Sequence, residues 1–173
     1  MTDAGSGLTH IDRHGRARMV DVTAKAVTRR VAMAKCIVVT TADIAQVRAD
    51  APDGIDIVEA ARIAGIQGAK LTSSLIPLCH PIRLDGVAVE VVVGPRRFEV
   101  SAVTEITERT GVEMEALTAC ALAALTLVEA VRHLDPDASM EELTLWHKSG
   151  GRSGDWQRHG PGRQLTQDTP TRT

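Results

Sequence analysis

Val87-Ala88-Val89-Glu90-Val91-Val92-Val93-Gly94-Pro95-Arg96-Arg97-Phe98-Glu99-Val100-Ser101-Ala102-Val103-Thr104-Glu105-Ile106-Thr107 holds two extended runs around one reversal. The first run is dense in valine, which favours a pleated, packed strand. Gly94 and Pro95 supply the conformational freedom and the fixed φ that a tight reversal uses. The second run returns with a β-branched, period-two pattern. The stretch therefore predicts an antiparallel hairpin. Its flanks decide the fold. Upstream, residues 55–75 predict a long helix, with Ile63, Ile66, Lys70 and Ser74 recurring at three- and four-residue steps. Gly65, Gly68 and several alanines keep that helix thin, so another backbone can come close. Downstream, residues 111–133 predict a second long helix. Its expected apolar face holds Met114, Leu117, Ala121, Ala124, Leu125 and Val128. Another stripe holds Glu115, Thr118, Leu122, Thr126 and Glu129, with Asp135-Pro136 as the stop.

Working outward, residues 18–22 alternate and predict a first strand, and residues 28–39 a second. Residues 41–48 predict a short capped helix and residues 49–54 a loop. Residues 143–146 predict the last strand. Strand, helix, hairpin, helix, strand is the ferredoxin-like α+β order: an antiparallel sheet with both long helices packed on one face. The expected organisation is a flexible segment over residues 1–15, one domain over 16–156 and a flexible tail over 157–173.

Composition narrows the function. Twenty basic residues against twenty-two acidic ones leave the chain near neutral, with no field that advertises nucleic acid or membrane. Phe98, Trp146 and Trp156 are the whole aromatic complement, too few for a base-stacking platform. Cys36, Cys79 and Cys120 are odd in number and far apart, so they outline neither a disulfide framework nor a metal knuckle. With no leader and no apolar run of membrane-spanning length, the expected setting is cytoplasmic.

Three stretches carry chemistry. Pro77 and Pro81 bracket Leu78-Cys79-His80, a rigid segment that aims one imidazole and one thiol; Lys70 lies upstream on the helix. The same stretch also suits a packed loop with a satisfied core histidine, the better reading of such a motif alone. Lys148-Ser149-Gly150-Gly151-Arg152-Ser153-Gly154 combines cations, hydroxyls and bare amides that suit phosphate oxygens, and equally suits a mobile basic loop. With Arg29, Arg30 and Arg62, these cations imply a polyanionic ligand if several converge. Glu113-Met114-Glu115 opens the second helix, where its carboxylates either complement the helix dipole or accept from the NH groups of a purine or pterin edge. Glu129 and Arg132 are spaced to pair, and on pattern alone they read as a solvated helix face.

Taken together, six ordered motifs resemble the cyclic pyranopterin monophosphate synthase family, the molybdenum cofactor biosynthesis protein C. They are Leu-Thr-His-Ile from Leu8, Met-Val-Asp-Val from Met19, Ala-Arg-Ile-Ala-Gly-Ile from Ala61, Ile-Pro-Leu-Cys-His-Pro from Ile76, Thr-Gly-Val-Glu-Met-Glu-Ala-Leu-Thr from Thr110 and Lys-Ser-Gly-Gly from Lys148. The resemblance spans residue 8 to about residue 156. It implies conversion of a cyclised dihydro-GTP to cyclic pyranopterin monophosphate with loss of pyrophosphate. It also implies a homo-oligomer, a hexamer built from dimers with active sites at interfaces. No cofactor is expected, and no liganding cluster in the sequence suggests a structural metal. The implied catalytic positions are Glu129, Arg132, Lys70 and His80. The implied substrate-binding positions are Arg30, Leu78, Cys79, His80, Glu113, Met114, Glu115 and Lys148.

Four positions depart from the family pattern. Gly54 stands where the family has lysine, Glu129 where it has the catalytic aspartate, Arg132 where it has the partner lysine, and Leu71 where it usually has arginine. Gly54 can hold no phosphate, and residues 48–59 carry one arginine against Asp50, Asp53, Asp56 and Glu59. Arg132 carries a guanidinium, which proteins do not deprotonate. Glu129 moves its carboxylate outward, and a ~1 Å misplacement can cost ~100-fold in rate. The expectation is an enzyme with weakened proton handling. The alternatives are an inactive relative that binds the precursor or co-assembles with an active homologue, and a generic phosphate-binding module.

Overall fold

The computed structural model describes residues 10–12, 14–49 and 56–159. Strand β1 (Thr28–Val39) is followed by the short α1 (Ile44–Ala49) and the long α2 (Ile57–Leu75). The hairpin β2 (Gly86–Val93) and β3 (Arg97–Glu108) leads into α3 (Glu113–Val131), then β4 (Ser139–Ser149) and the two-residue β5 (Trp156–Gln157). The sheet runs β2-β3-β1-β4-β5 and every pairing is antiparallel. This is the ferredoxin-like α+β fold, with α2 and α3 on one face.

The hairpin closes as its sequence requires: Gly94 donates to the Arg97 carbonyl at 2.9 Å and Val93 stands opposite Phe98. On the covered face of the sheet, β1 presents Ala32, Ala34, Cys36 and Val38, and β3 presents Phe98, Val100, Ala102 and Ile106, all buried. The small residues of β1 let α3 lie close. Asp56 caps α2 by accepting from the Val58 amide at 2.9 Å, which satisfies one of the orphan donors of the first turn. Beyond α3, the buried Asp135 accepts from the Thr40 hydroxyl at 2.8 Å and the Thr41 amide at 2.6 Å, tying the end of the helix to the end of β1.

Several local expectations are corrected. Residues 18–22 form no strand: β3 and β4 already fill both positions beside β1, so this segment finds no ladder. Instead the Val20 carbonyl is met by a side chain described below. The buried face of α2 is Ile57, Val58, Ala61, Gly65, Gly68, Ala69 and Thr72, while Ile63 is exposed. The buried face of α3 includes Glu115, Thr118, Ala119, Cys120 and Ala123, while Met114 and Leu125 are exposed. The cause is the same in both helices. Close backbone approach selects the small residues for the seam and leaves larger apolar ones outside.

Strand β4 is longer than its readable core because register shifts opposite β1 interrupt the alternation. Trp156 and Gln157, the latter assigned to the tail, pair with β4, and the Arg158 amide donates to the Trp146 carbonyl at 2.9 Å. By length and composition α3 is apolar enough to cross a bilayer, contrary to the reading of the sequence. In the fold it is the core helix, and its apolar character serves packing against α2 and the sheet.

Candidate functional site

The connection after α2 is shaped by Pro77. The Cys79 amide donates to the Ile76 carbonyl at 3.4 Å, and Leu78 has φ of 69°, the left-handed value that such a turn usually gives to glycine. A leucine held there stores strain on the order of 1–3 kcal/mol, which the surrounding packing must hold. The turn delivers His80 to the Val20 carbonyl, with Nε2 and oxygen 2.9 Å apart. A carbonyl oxygen only accepts, so Nε2 carries the proton. In the neutral ring Nδ1 is then the free lone pair.

Leu78, Cys79, His80, Glu113, Met114 and Glu115 line one hollow, closed by His10, Ile82, Thr110 and Gly111. The fold thus brings together six of the residues predicted to bind substrate, from the turn after α2 and the first turn of α3. The hollow measures about 170 Å³, less than the roughly 300–1,000 Å³ of ordinary small-molecule sites. Lys148, at the end of β4, reaches this corner: its Nζ is 3.3 Å from a Glu113 carboxylate oxygen and 3.1 Å from the Ser153 hydroxyl. Glu113 itself lies over Gly111, where a side chain would collide with its carboxylate.

The two carboxylates differ. Glu115 is only 4 % exposed, and burial, followed by the nearby Glu113 charge, pushes its pKa up from 4.5 to about 7. Burial outweighs the favourable field of the helix N-terminus. Burial also raises the Cys79 thiol, with the Glu115 charge adding to it, so Cys79 contributes a neutral thiol rather than a thiolate.

The raised acid has a consequence for stability. Well below 4.5, Glu115 is protonated in folded and unfolded chains alike, and no penalty exists. As pH rises towards 7, the unfolded chain releases this proton first, so stability falls; above that, the penalty is constant. Glu115→Gln is therefore expected to match the parent protein only well below pH 4.5, where both states hold the proton. At pH 8 it should be more stable by on the order of 2 kcal/mol, partial solvent screening included. Urea midpoints across that range test this, and a difference independent of pH would contradict it.

Arg30 stands in β1 opposite Ile106, and its Nε donates to the Glu108 carbonyl at 2.9 Å. Its guanidinium lies against Gly151 in the turn after β4, where Gly150 and Gly151 have φ of 85° and 74°. The turn is partly self-satisfied, since the Gly150 amide donates to Asp155 at 3.2 Å. Other expected cations do not join. Arg29 is held by Glu105 through two hydrogen bonds, and Arg62 pairs with Glu59 at 3.2 Å.

Lys70 lines a neighbouring hollow with Ile66, Arg83 and Asp85, sharing only Ile82 with the first. Glu129 and Arg132 pair with each other at 2.9 Å, both well exposed. They sit at the far end of α3: sixteen positions separate Glu113 from Glu129, and at ~1.5 Å per residue that is about 24 Å. One chain therefore does not bring Glu129 and Arg132 to His80. Gly54, Asp50 and Asp53 lie outside the described residues. Sequence reading did not single out His10 and Val20 as site residues. The Leu-Thr-His-Ile and Met-Val-Asp-Val motifs contain them, so motif density near the start of the chain was the available signal.

The architecture and this corner define a ferredoxin-like protein with a polar hollow at one helix N-terminus. Residues 19–151 match the MoaC family. The chain is 47% identical over 160 residues to cyclic pyranopterin monophosphate synthase 2 of Mycobacterium tuberculosis, covering 91% of this chain and 95% of that protein. It is 48% identical over 155 residues to cyclic pyranopterin monophosphate synthase of Streptomyces griseus, covering 89% and 88%. The protein of the same name from Streptomyces coelicolor is 46% identical over 157 residues, covering 90% and 92%. The chain belongs to the MoaC family.

Proposed function

We propose that the chain acts in molybdenum cofactor biosynthesis as a lyase that converts cyclised dihydro-GTP into cyclic pyranopterin monophosphate and releases pyrophosphate. The observation that carries this reading is the hollow where His80, Glu113 and Glu115 converge, with Lys148 at its edge. Lys148 and Arg30 meet the phosphates. Glu113 accepts from the pterin edge, and Glu115, near half-protonated at neutrality, both donates and accepts. His80 moves protons through Nδ1. The direct test incubates purified protein with cyclised dihydro-GTP and follows pyrophosphate and cyclic product. Retained binding with no product would end the enzymatic reading.

A second copy completes the site in this proposal. Glu129 and Arg132 lie too far along α3 to serve their own hollow, and a homo-oligomer, a hexamer built from dimers, brings them in from a neighbour. Two variants, His80→Ala and Glu129→Ala, each nearly inactive alone, should then regain activity when unfolded together and refolded as a mixture. Refolding that leaves the mixture as inactive as its parts would rule out shared sites. The three free cysteines fit a reducing, cytoplasmic setting.

The finer reading is that turnover is slowed. Arg132 is committed to Glu129 and cannot exchange a proton near neutrality. Replacing Gly54, Glu129 and Arg132 together by Lys, Asp and Lys is expected to raise kcat up to about 100-fold. An unchanged kcat would show that these positions do not limit the rate.

A further inference from the structure

We propose that Gly151 is a positioning residue whose missing side chain leaves the space in which the Arg30 guanidinium is held. The proposal rests on the reading of Arg30 as a phosphate contact. Arg30 leaves β1 with a long, rotatable side chain, and ordering such a chain carries an entropic cost. Two features hold it. The Glu108 carbonyl fixes Nε at 2.9 Å, and the bare backbone of Gly151 accepts the head of the side chain. A Cβ built on Gly151 would lie 2.3 Å from Nη1 and 3.0 Å from Cζ of Arg30. Contacts that short cannot be kept, and the movable partner is the guanidinium.

Gly150 shows the contrast. A Cβ there would meet the Arg29 carbonyl oxygen at 2.1 Å, so a side chain would force strand and turn apart. Its role is structural. At Gly151 the obstacle is a side-chain head, so the fold survives substitution and Arg30 is displaced. Lys148 leads into the same turn and is held by Glu113 and Ser153. Displacing Arg30 therefore separates two cations meant to act on one polyanion.

Binding of inorganic triphosphate tests this by calorimetry on the full chain, with thermal unfolding measured alongside. Gly151→Ala is expected to weaken binding roughly tenfold or more, the scale of one charge-assisted hydrogen bond. Adding it to Arg30→Ala should weaken binding no further. Because φ at Gly151 is positive, backbone strain needs its own control. Gly15 has φ of 77° with no neighbouring atom within 4 Å of an added Cβ, so Gly15→Ala should lose a similar amount of thermal stability and keep the parent affinity. Parent-like affinity in Gly151→Ala, beside weakened binding in Arg30→Ala, overturns the positioning role and leaves the phosphate assignment standing. A further loss in the double variant overturns it as well, since the glycine would then act through another group. A silent Arg30→Ala removes the phosphate assignment and the proposal with it.

Discussion

His80→Ala is expected to lower kcat by about 10²–10⁴-fold while leaving the affinity for inorganic triphosphate near that of the parent. The argument starts from the Val20 carbonyl. It fixes the ring through Nε2 at 2.9 Å, which leaves Nδ1 as the nitrogen not engaged by Val20. Leu78, strained at positive φ, sets the direction from which the ring arrives. A merely structural histidine would instead lose stability on truncation and leave the rate per folded molecule intact. His80→Gln adds a second arm, because it retains a donor for Val20 but has no titratable nitrogen. It should refold as well as the parent and lose activity to a similar extent. A kcat within a few-fold of the parent in both variants would remove His80 from the chemistry.

The second large effect is on folding. Gly65 sits in the seam between α2 and α3, where an added Cβ would be 2.9 Å from the Ala119 carbonyl oxygen, 3.0 Å from Val89 and 3.2 Å from Ala123. The nearest atom is helix backbone and cannot swing aside. One methyl gains up to ~1 kcal/mol in helix propensity, which partly offsets the collision. A branched side chain gains less in propensity and collides more. Gly65→Val should force the helices apart and cost about 3 kcal/mol or more, read as a fall in the urea midpoint. A loss under ~1 kcal/mol would mean that the seam is looser than the distances state. The same displacement would tilt the first turn of α3, so activity should fall together with stability.

These two residues also show what could be read without the fold. Gly65 stands out in the sequence because a glycine inside a helical pattern needs a reason, and close backbone approach supplies one. The apolar face expected of α3 is only partly the buried one: Ala124 is buried, whereas Met114 and Leu125 are exposed. Ile63 and Leu125 look like core residues by hydropathy, yet they are exposed, while Ala119, Ala123 and Thr118 are buried. Hydrophobic spacing alone selects the larger apolar side chains, whereas a tight seam selects the smallest ones. The strand expected over residues 18–22 failed for a related reason. Alternation records which faces a segment offers, and pairing depends on whether a free edge lies within reach.

The chain order of β1, α2, the hairpin, α3 and β4 was determined by the sequence alone, because periodicity, Gly94-Pro95 and Asp135-Pro136 are local properties. So were the types of group that meet at the hollow, since the motifs name them. Only the tertiary structure decided which of those groups meet. It put Glu113, Glu115 and His80 around one space, left Lys70 in the next, and placed Glu129 about 24 Å along α3. It also decided the charge state of Glu115, which follows from burial. Distance and desolvation arise from contacts between residues far apart in the chain, and no local pattern encodes them.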